Sequence, residues 1–216
     1  SSVALNRVIF QENTASQGGG GMANQTSNVV TVTNGIFGGN RAATGGALYT
    51  DNSNYSTLTN VTIAGNTASS SGGATYSSNW STVTIVNSIV WRNGSGPVVN
   101  ASGATTTVSY TDIGPDATPY PGADGNINQD PKFAAGPPTS GAGAGAFLPF
   151  NARLQFLSPA INAGANAATE DTGVTTDFYG NPRIQDGIVD MGAAESRFVF
   201  TYVSPTVAPP GVNIIV

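Results

Sequence analysis

Asp124, Asn126, Asn128 and Asp130 put side-chain oxygens on every second residue of one short segment, the spacing of the first half of a calcium loop. Gln129 stands where such a loop needs its tight-turn glycine, and the twelfth position is Ala135 in place of a bidentate Glu. Capping of a turn at the entry to a strand therefore competes with cation binding there. A second group, Asp177, Arg183, Asp190 and Glu195, offers one guanidinium three carboxylates. The expected outcome is a structural ion pair that fixes how this segment folds back, with catalysis by the same acids as the alternative. Aromatic faces grip sugar rings, and the candidates for glycan contact are Trp80, Tyr55 and Trp91. Trp80, between Asn79 and Ser81, is the foremost of these. Tyr49 and Tyr76 recur at equivalent places and read as a stacked ladder.

What is missing narrows the chemistry further. The 216 residues contain no Cys and no His and are only 9% charged. A Cys/His zinc site, a disulfide framework, a Ser-His-Asp triad and a thiol nucleophile all lack their atoms. Residues 1–110 carry only Glu12 and Asp51 as acids, too few for the paired carboxylates of a polysaccharide lyase or hydrolase. A net charge of −5 has the wrong sign for gripping nucleic acid. Apolar runs fall far short of the roughly 20 residues needed to span a bilayer. Calcium is the single cofactor the sequence offers.

The elements that must position these residues come from a repeat. Phe10-Gln11-Glu12-Asn13, Phe37-Gly38-Gly39-Asn40, Ile63-Ala64-Gly65-Asn66 and Val90-Trp91-Arg92-Asn93 recur at intervals of 26 to 27. The first three units run on into a glycine pair and a short strand. Asn34, Asn60 and Asn87 form a second column, with Asp112 expected in the next place. β-branched alternations lie between these marks and read as strands. Three strands per unit with equivalent residues once per unit specify a parallel β-helix, not a sandwich. Val32, Leu58, Ile85 and Tyr110, and likewise Phe10, Phe37, Ile63 and Val90, are expected to stack inward at about 4.8 Å, making four coils roughly 20 Å tall. Both Asn columns, Asn13, Asn40, Asn66, Asn93 and Asn34, Asn60, Asn87, are expected to pair amide to amide between coils.

The F-x-x-N and G-G-A-x-Y pattern, at Phe37 to Tyr49 and again at Ile63 to Tyr76, resembles the repeats of chlamydial polymorphic outer membrane proteins. The C-terminal half resembles the choice-of-anchor Q domain, a pectate-lyase-like right-handed β-helix. The residues that carry this are Gly125 to Phe133, Leu157 to Gly164, Asp177 to Ile184 and Val189 to Glu195, with Asn162 where that family has Asp. The resemblance implies an all-β, right-handed parallel β-helix with an irregular C-terminal capping segment, on a secreted or bacterial cell-surface protein of adhesin type. It divides the chain into coils over 1–113, a last coil and cap over 114–196, and a tail over 197–216.

No capping segment precedes the repeat, which is already running at Asn6, so upstream coils of a longer precursor or another subunit are expected at that end. The tail alternates as a strand, passes a Pro-rich linker and finishes with Val212, Ile214, Ile215 and Val216, which could add to a neighbouring copy and build a head-to-tail fibre. A structural or adhesive surface module is the favoured reading, with a glycan-binding module or a polysaccharide lyase or hydrolase as the alternative. An ice- or glycan-binding face would need a flat, regular Thr or aromatic array; Thr31, Thr33, Thr57, Thr59, Thr62, Thr82 and Thr84 are numerous, but no clean Thr-x-Thr ladder is read in every coil.

Overall fold

A computed structural model describes residues 1–26, 28–115, 124–136 and 150–197. The chain winds as a parallel β-helix of about four turns. Its first sheet stacks β1 (Ser2–Asn6), β4 (Val29–Thr33), β8 (Tyr55–Thr59), β12 (Thr82–Val86) and β15 (Thr105–Ser109) in that order. The second stacks β2 (Ile9–Gln11), β5 (Ile36–Gly38), β9 (Thr62–Ala64), β13 (Ile89–Trp91) and β16 (Asp112–Gly114). The third side pairs β6 (Arg41–Thr44) with β10 (Thr67–Ser71), and stacks β3 (Met22–Asn24), β7 (Leu48–Thr50), β11 (Thr75–Ser77) and β14 (Val98–Asn100). Every pairing between named strands is parallel.

Inside, Phe10, Phe37, Ile63, Val90 and Ile113 stand one above the next, with the Phe10 and Phe37 rings stacked at 4.8 Å. The neighbouring column is Val32, Leu58, Ile85 and Val108. Tyr110, expected in that column, instead occupies the corner beyond it, 40% exposed at φ 45°. Asp112 likewise does not continue the Asn34 column but pairs with Ile89. One cause explains both differences. Thr82 pairs with Thr105, so the last coil closes in 23 residues, and Tyr110 and Asp112, 25 residues beyond Ile85 and Asn87 respectively, overshoot by two.

The corner of each F-x-x-N unit is built the same way. Glu12, Gly39, Gly65 and Arg92 have positive φ, which turns the chain and sends the following Asn inward. Asn13 donates its amide Nδ2 to Asn40 Oδ1, Asn40 to Asn66 and Asn66 to Asn93, at 3.1, 2.9 and 2.9 Å. Each of these Oδ1 atoms also accepts the backbone N–H of the coil before it. Gly20, Gly46 and Gly73 mark the next corner, where an added Cβ would strike carbonyl oxygens of the following coil.

Residues 124–128 stack on the final coil, with Ile113 N donating to Ile127 O. The segment 150–197 does not cover the end of the spool. It runs along its flank, reaching back to the first coil, where Phe150 N donates to Gln11 Oε1 and Arg7 Nε donates to Phe178 O. This segment has little regular structure beyond α1 (Asn166–Glu170). It buries the outer face of the second sheet: Ile36, Ala64, Ile89 and Trp91 pack against Phe133, Phe150, Leu154, Ala160 and Met191. A parallel sheet needs cover on both faces, and the flank segment supplies it on this side.

Candidate binding face

The outer face of the first sheet stays open over most of its width. Its register aligns three outward columns: Ser2, Val29, Tyr55, Thr82, Thr105; then Ala4, Thr31, Thr57, Thr84, Thr107; then Asn6, Thr33, Thr59, Val86, Ser109. A Thr-x-Thr pair thus occurs in each of β4, β8, β12 and β15, and Thr31, Thr57, Thr84 and Thr107 form an unbroken column. Constant spacing hides this column, because the step from Thr84 to Thr107 is the short one. The face is not flat. Residues 168–174 of the flank segment overhang the third column, burying Thr33 and Thr59 and leaving a groove of about 550 Å³ walled by Ala168, Asp171, Thr172 and Val174.

Tyr55 and Trp80 stand at the other margin. Tyr55 is 56% exposed and pairs with Thr82, which follows Trp80 by two residues, so both rings flank one corner. Trp80 is 75% exposed at φ 62°, and its ring lies across Gly103 of the next coil, where an added Cβ would come within 2.7 Å of it. One ring face is therefore packed and the rest is open to solvent. Asp51 anchors the turn that carries Trp80, accepting from Ser78 Oγ and Asn79 Nδ2 at 2.7 Å each. Partial burial works to raise the Asp51 pKa, but these donors outweigh it and hold the carboxyl below its usual value. Tyr49 and Tyr76 stack at 5.8 Å with rings 8° from parallel on the third side.

Trp91 is not a surface contact. It is 7% exposed beneath the flank segment, because it occupies an outward position of the second sheet, which that segment covers. Two of the four side chains of the proposed cation loop, those of Asn126 and Asp130, bond within the chain. Asn126 is buried, accepting from Thr111 N through Oδ1 and donating to Val108 O through Nδ2, which closes the last coil. Asp130 Oδ1 accepts from Lys132 N, and Asp124 is an exposed corner at φ 51° whose carbonyl takes Tyr110 N. Asn128 lies against Gly114. Among the described residues, no three or more His, Cys, Asp or Glu side chains are placed to hold one metal ion.

Asn34, Asn60 and Asn87 share positive φ with Arg7 and Tyr110, a conformation Asn tolerates. They do not pair with one another. Asn87 donates to Ala165 O and Thr169 Oγ1, Thr169 Oγ1 donates to Asn60 Oδ1, and Asn34 donates to Asn6 Oδ1 and Thr176 O. Together with Arg7 they form the line along which the flank segment is fastened.

Asp177, Arg183, Asp190 and Glu195 are all buried within that segment. Arg183 Nε lies 3.9 Å from Glu195 Oε2, while its Nη2 donates to the carbonyls of Asp190 and Gly192. The carboxylates in turn accept backbone N–H groups: Asp177 from Asn181 and Glu195, Asp190 from Asn162 and Ser196, Glu195 from Gln185 and Asp190. Burial, with Asp190 adding to it, raises Glu195 to about 8, and burial also raises Asp190 and lowers Arg183. The cluster is a set of turn staples around one guanidinium. Arg183→Met, which fills the space but strands two buried carbonyls, is expected to cost roughly 3 kcal/mol. Limited proteolysis should cut residues 160–190 sooner in the variant while the β-sheet circular dichroism persists. An unchanged cleavage rate would contradict this assignment.

The fold and face being thus defined, comparison places one stretch. The family model of the Chlamydia polymorphic membrane protein repeat matches residues 60–78. These residues run from the Asn60 corner through β9 and β10 to β11, one turn of the spool short of its first sheet. The chain is a parallel β-helix in which one turn, at residues 60–78, is similar to a repeat of this type. No curated protein and no solved structure matches it.

Proposed function

We propose that this chain is a cell-surface or secreted adhesive and structural β-helix that performs no catalysis. The observation that carries the reading is the membrane-protein repeat over residues 60–78, set in coils whose exposed surface is almost without charge. The buried acids of the C-terminal half support it, since their oxygens accept backbone N–H groups and fasten turns. Among the described residues no helix is long and apolar enough to cross a membrane.

Coil stacking between molecules extends the reading. In the first coil β1, β2 and β3 each have one strand neighbour, Val3 and Ile9 are 43% and 37% exposed, and Leu5, Phe10 and Met22 are half-buried. Such an edge accepts another coil. The apolar finish at Val212, Ile214, Ile215 and Val216, which would supply it from a second copy, lies outside the described residues.

Beads coated with the full chain should adhere to bacterial or host cell surfaces above albumin-coated beads. Incubation with polygalacturonate should release no unsaturated or reducing ends. Release in proportion to added protein would overturn the non-catalytic reading, and adhesion no better than albumin would overturn the adhesive one.

A further inference from the structure

We infer that the open face of the first sheet binds an uncharged, extended polysaccharide chain, laid along the solenoid axis between the Tyr55–Trp80 corner and the overhanging flank segment. The inference deepens, and rests on, the reading of the chain as an adhesive surface module. Four properties of the face select this ligand.

The groove runs along the axis, because the flank segment is fastened at Asn87, Asn60, Asn34 and Arg7 in successive coils. A ligand lying in it meets the same groups in two successive coils, about 4.8 Å apart. Those groups are the hydroxyls and methyls of Thr31 and Thr33 and then of Thr57 and Thr59, which suit the alternating polar and apolar faces of a polymer of repeating sugars.

The rim supplies what the floor lacks. Trp80 and Tyr55 present ring faces on one corner, and Trp80 is held by its packing on Gly103 and by the Asp51 anchored turn, so little side-chain freedom is lost on binding. The groove volume of about 550 Å³ falls within the range of small-ligand sites.

Charge excludes acidic glycans. No Lys or Arg lines the groove, Asp171 stands on its wall, and the whole chain carries a net charge of −5. Backbone geometry offers a peptide strand no edge in the middle of this face, since β4, β8 and β12 are each paired on both sides and the free edges of the sheet lie at its ends, β1 and β15.

The test is calorimetric titration of the full chain with cellohexaose, xylohexaose and mannohexaose, and with hexagalacturonate as the acidic control. At least one neutral hexasaccharide should bind with a Kd below about 1 mM, the acidic one at least tenfold more weakly. The Tyr55→Ala, Trp80→Ala double variant should lose at least tenfold, and Thr57→Val severalfold, with melting temperatures unchanged. Trp80→Phe should retain binding while abolishing the ligand-induced fluorescence change, because Trp91 is buried elsewhere. Failure of all three neutral sugars, preference for hexagalacturonate, or undiminished binding by the double variant would each overturn the inference. Adhesion of coated beads without sugar binding would leave the adhesive reading standing. Binding followed by shortening of the sugar would sink the non-catalytic reading and leave this one intact.

Discussion

Asn66→Ala should lower the unfolding free energy by roughly 4 kcal/mol, the largest effect of any single substitution in the amide ladder. The side chain is fully buried and its carboxamide is used completely. Oδ1 accepts both Asn40 N and Asn40 Nδ2, at 2.8 and 2.9 Å, while Nδ2 donates to Asn93 Oδ1 and Phe37 O. Truncation removes all four of these bonds: Asn40 N and Phe37 O lose this partner, while Asn40 Nδ2 keeps only Phe10 O and Asn93 Oδ1 keeps only Asn66 N. A buried group left unpaired costs about 1–3 kcal/mol, and relaxation of the neighbours keeps the total below their simple sum. Position along the spool supplies the control. Asn13 begins the ladder, its side chain is exposed, and it has no amide neighbour on the other side. Asn13→Ala should therefore cost under about 1 kcal/mol. Urea denaturation followed by circular dichroism measures both. Equal losses at Asn13 and Asn66 would show that the ladder is not a cooperative buried element. Asn66→Asp sharpens the test, because it keeps the acceptor but sets a carboxylate oxygen against the Phe37 carbonyl and Asn93 Oδ1.

The same column shows how far the sequence could be read and where it failed. A side chain repeating every 26 to 27 residues has one physical explanation, a stack, and the Phe10 to Ile113 and Asn13 to Asn93 columns follow from it directly. Extrapolation broke at the last coil. Pairing of Thr82 with Thr105 shortens the loop between them, and no composition signal marks that loss. Tyr110 and Asp112 were displaced for this reason, and the Thr31, Thr57, Thr84, Thr107 column was concealed. The second failure concerns partners distant in sequence. Asn34, Asn60 and Asn87 carry the same repeat signal as the true ladder, yet they bind residues 142, 109 and 78 positions away. A repeat reports that residues are equivalent and is silent on what they face. Trp91 was misplaced by the same limit, because its exposure depends on which sheet an irregular segment covers. The Arg183 cluster was legible as a group of charges, but its bonding runs mostly to backbone, which leaves no trace in residue type.

The stability of the fold should fall as pH rises from about 5 to about 8, and Asp112 should account for much of the lower half of that decline. Asp112 is fully buried beside β13. Its Oδ1 accepts Gln129 N at 3.1 Å, whereas Oδ2 is buried with no hydrogen-bond partner. Burial raises its pKa to about 7, with Asp130 adding to the shift and the Gln129 bond opposing it. The sign follows from linkage. Between the unfolded value of 3.8 and about 7 the folded state holds a proton that the unfolded state releases, so each step up in pH favours unfolding. A shift of that size corresponds to at most about 4 kcal/mol across the interval. Glu195, raised to about 8, has the same sign and prolongs the decline. Asp112→Asn keeps the acceptor for Gln129 N and cannot ionise. It should match the parent chain near pH 4, exceed it by up to about 4 kcal/mol at pH 7.5, and show a shallower slope between. Denaturation midpoints in urea at pH 5.0, 6.2 and 7.5 measure this. Parallel curves for the two proteins would mean that the carboxyl ionises at its ordinary value and that solvent or a counter-ion reaches Oδ2. A variant less stable at every pH would mean that the protonated acid donates a hydrogen bond that Asn cannot replace.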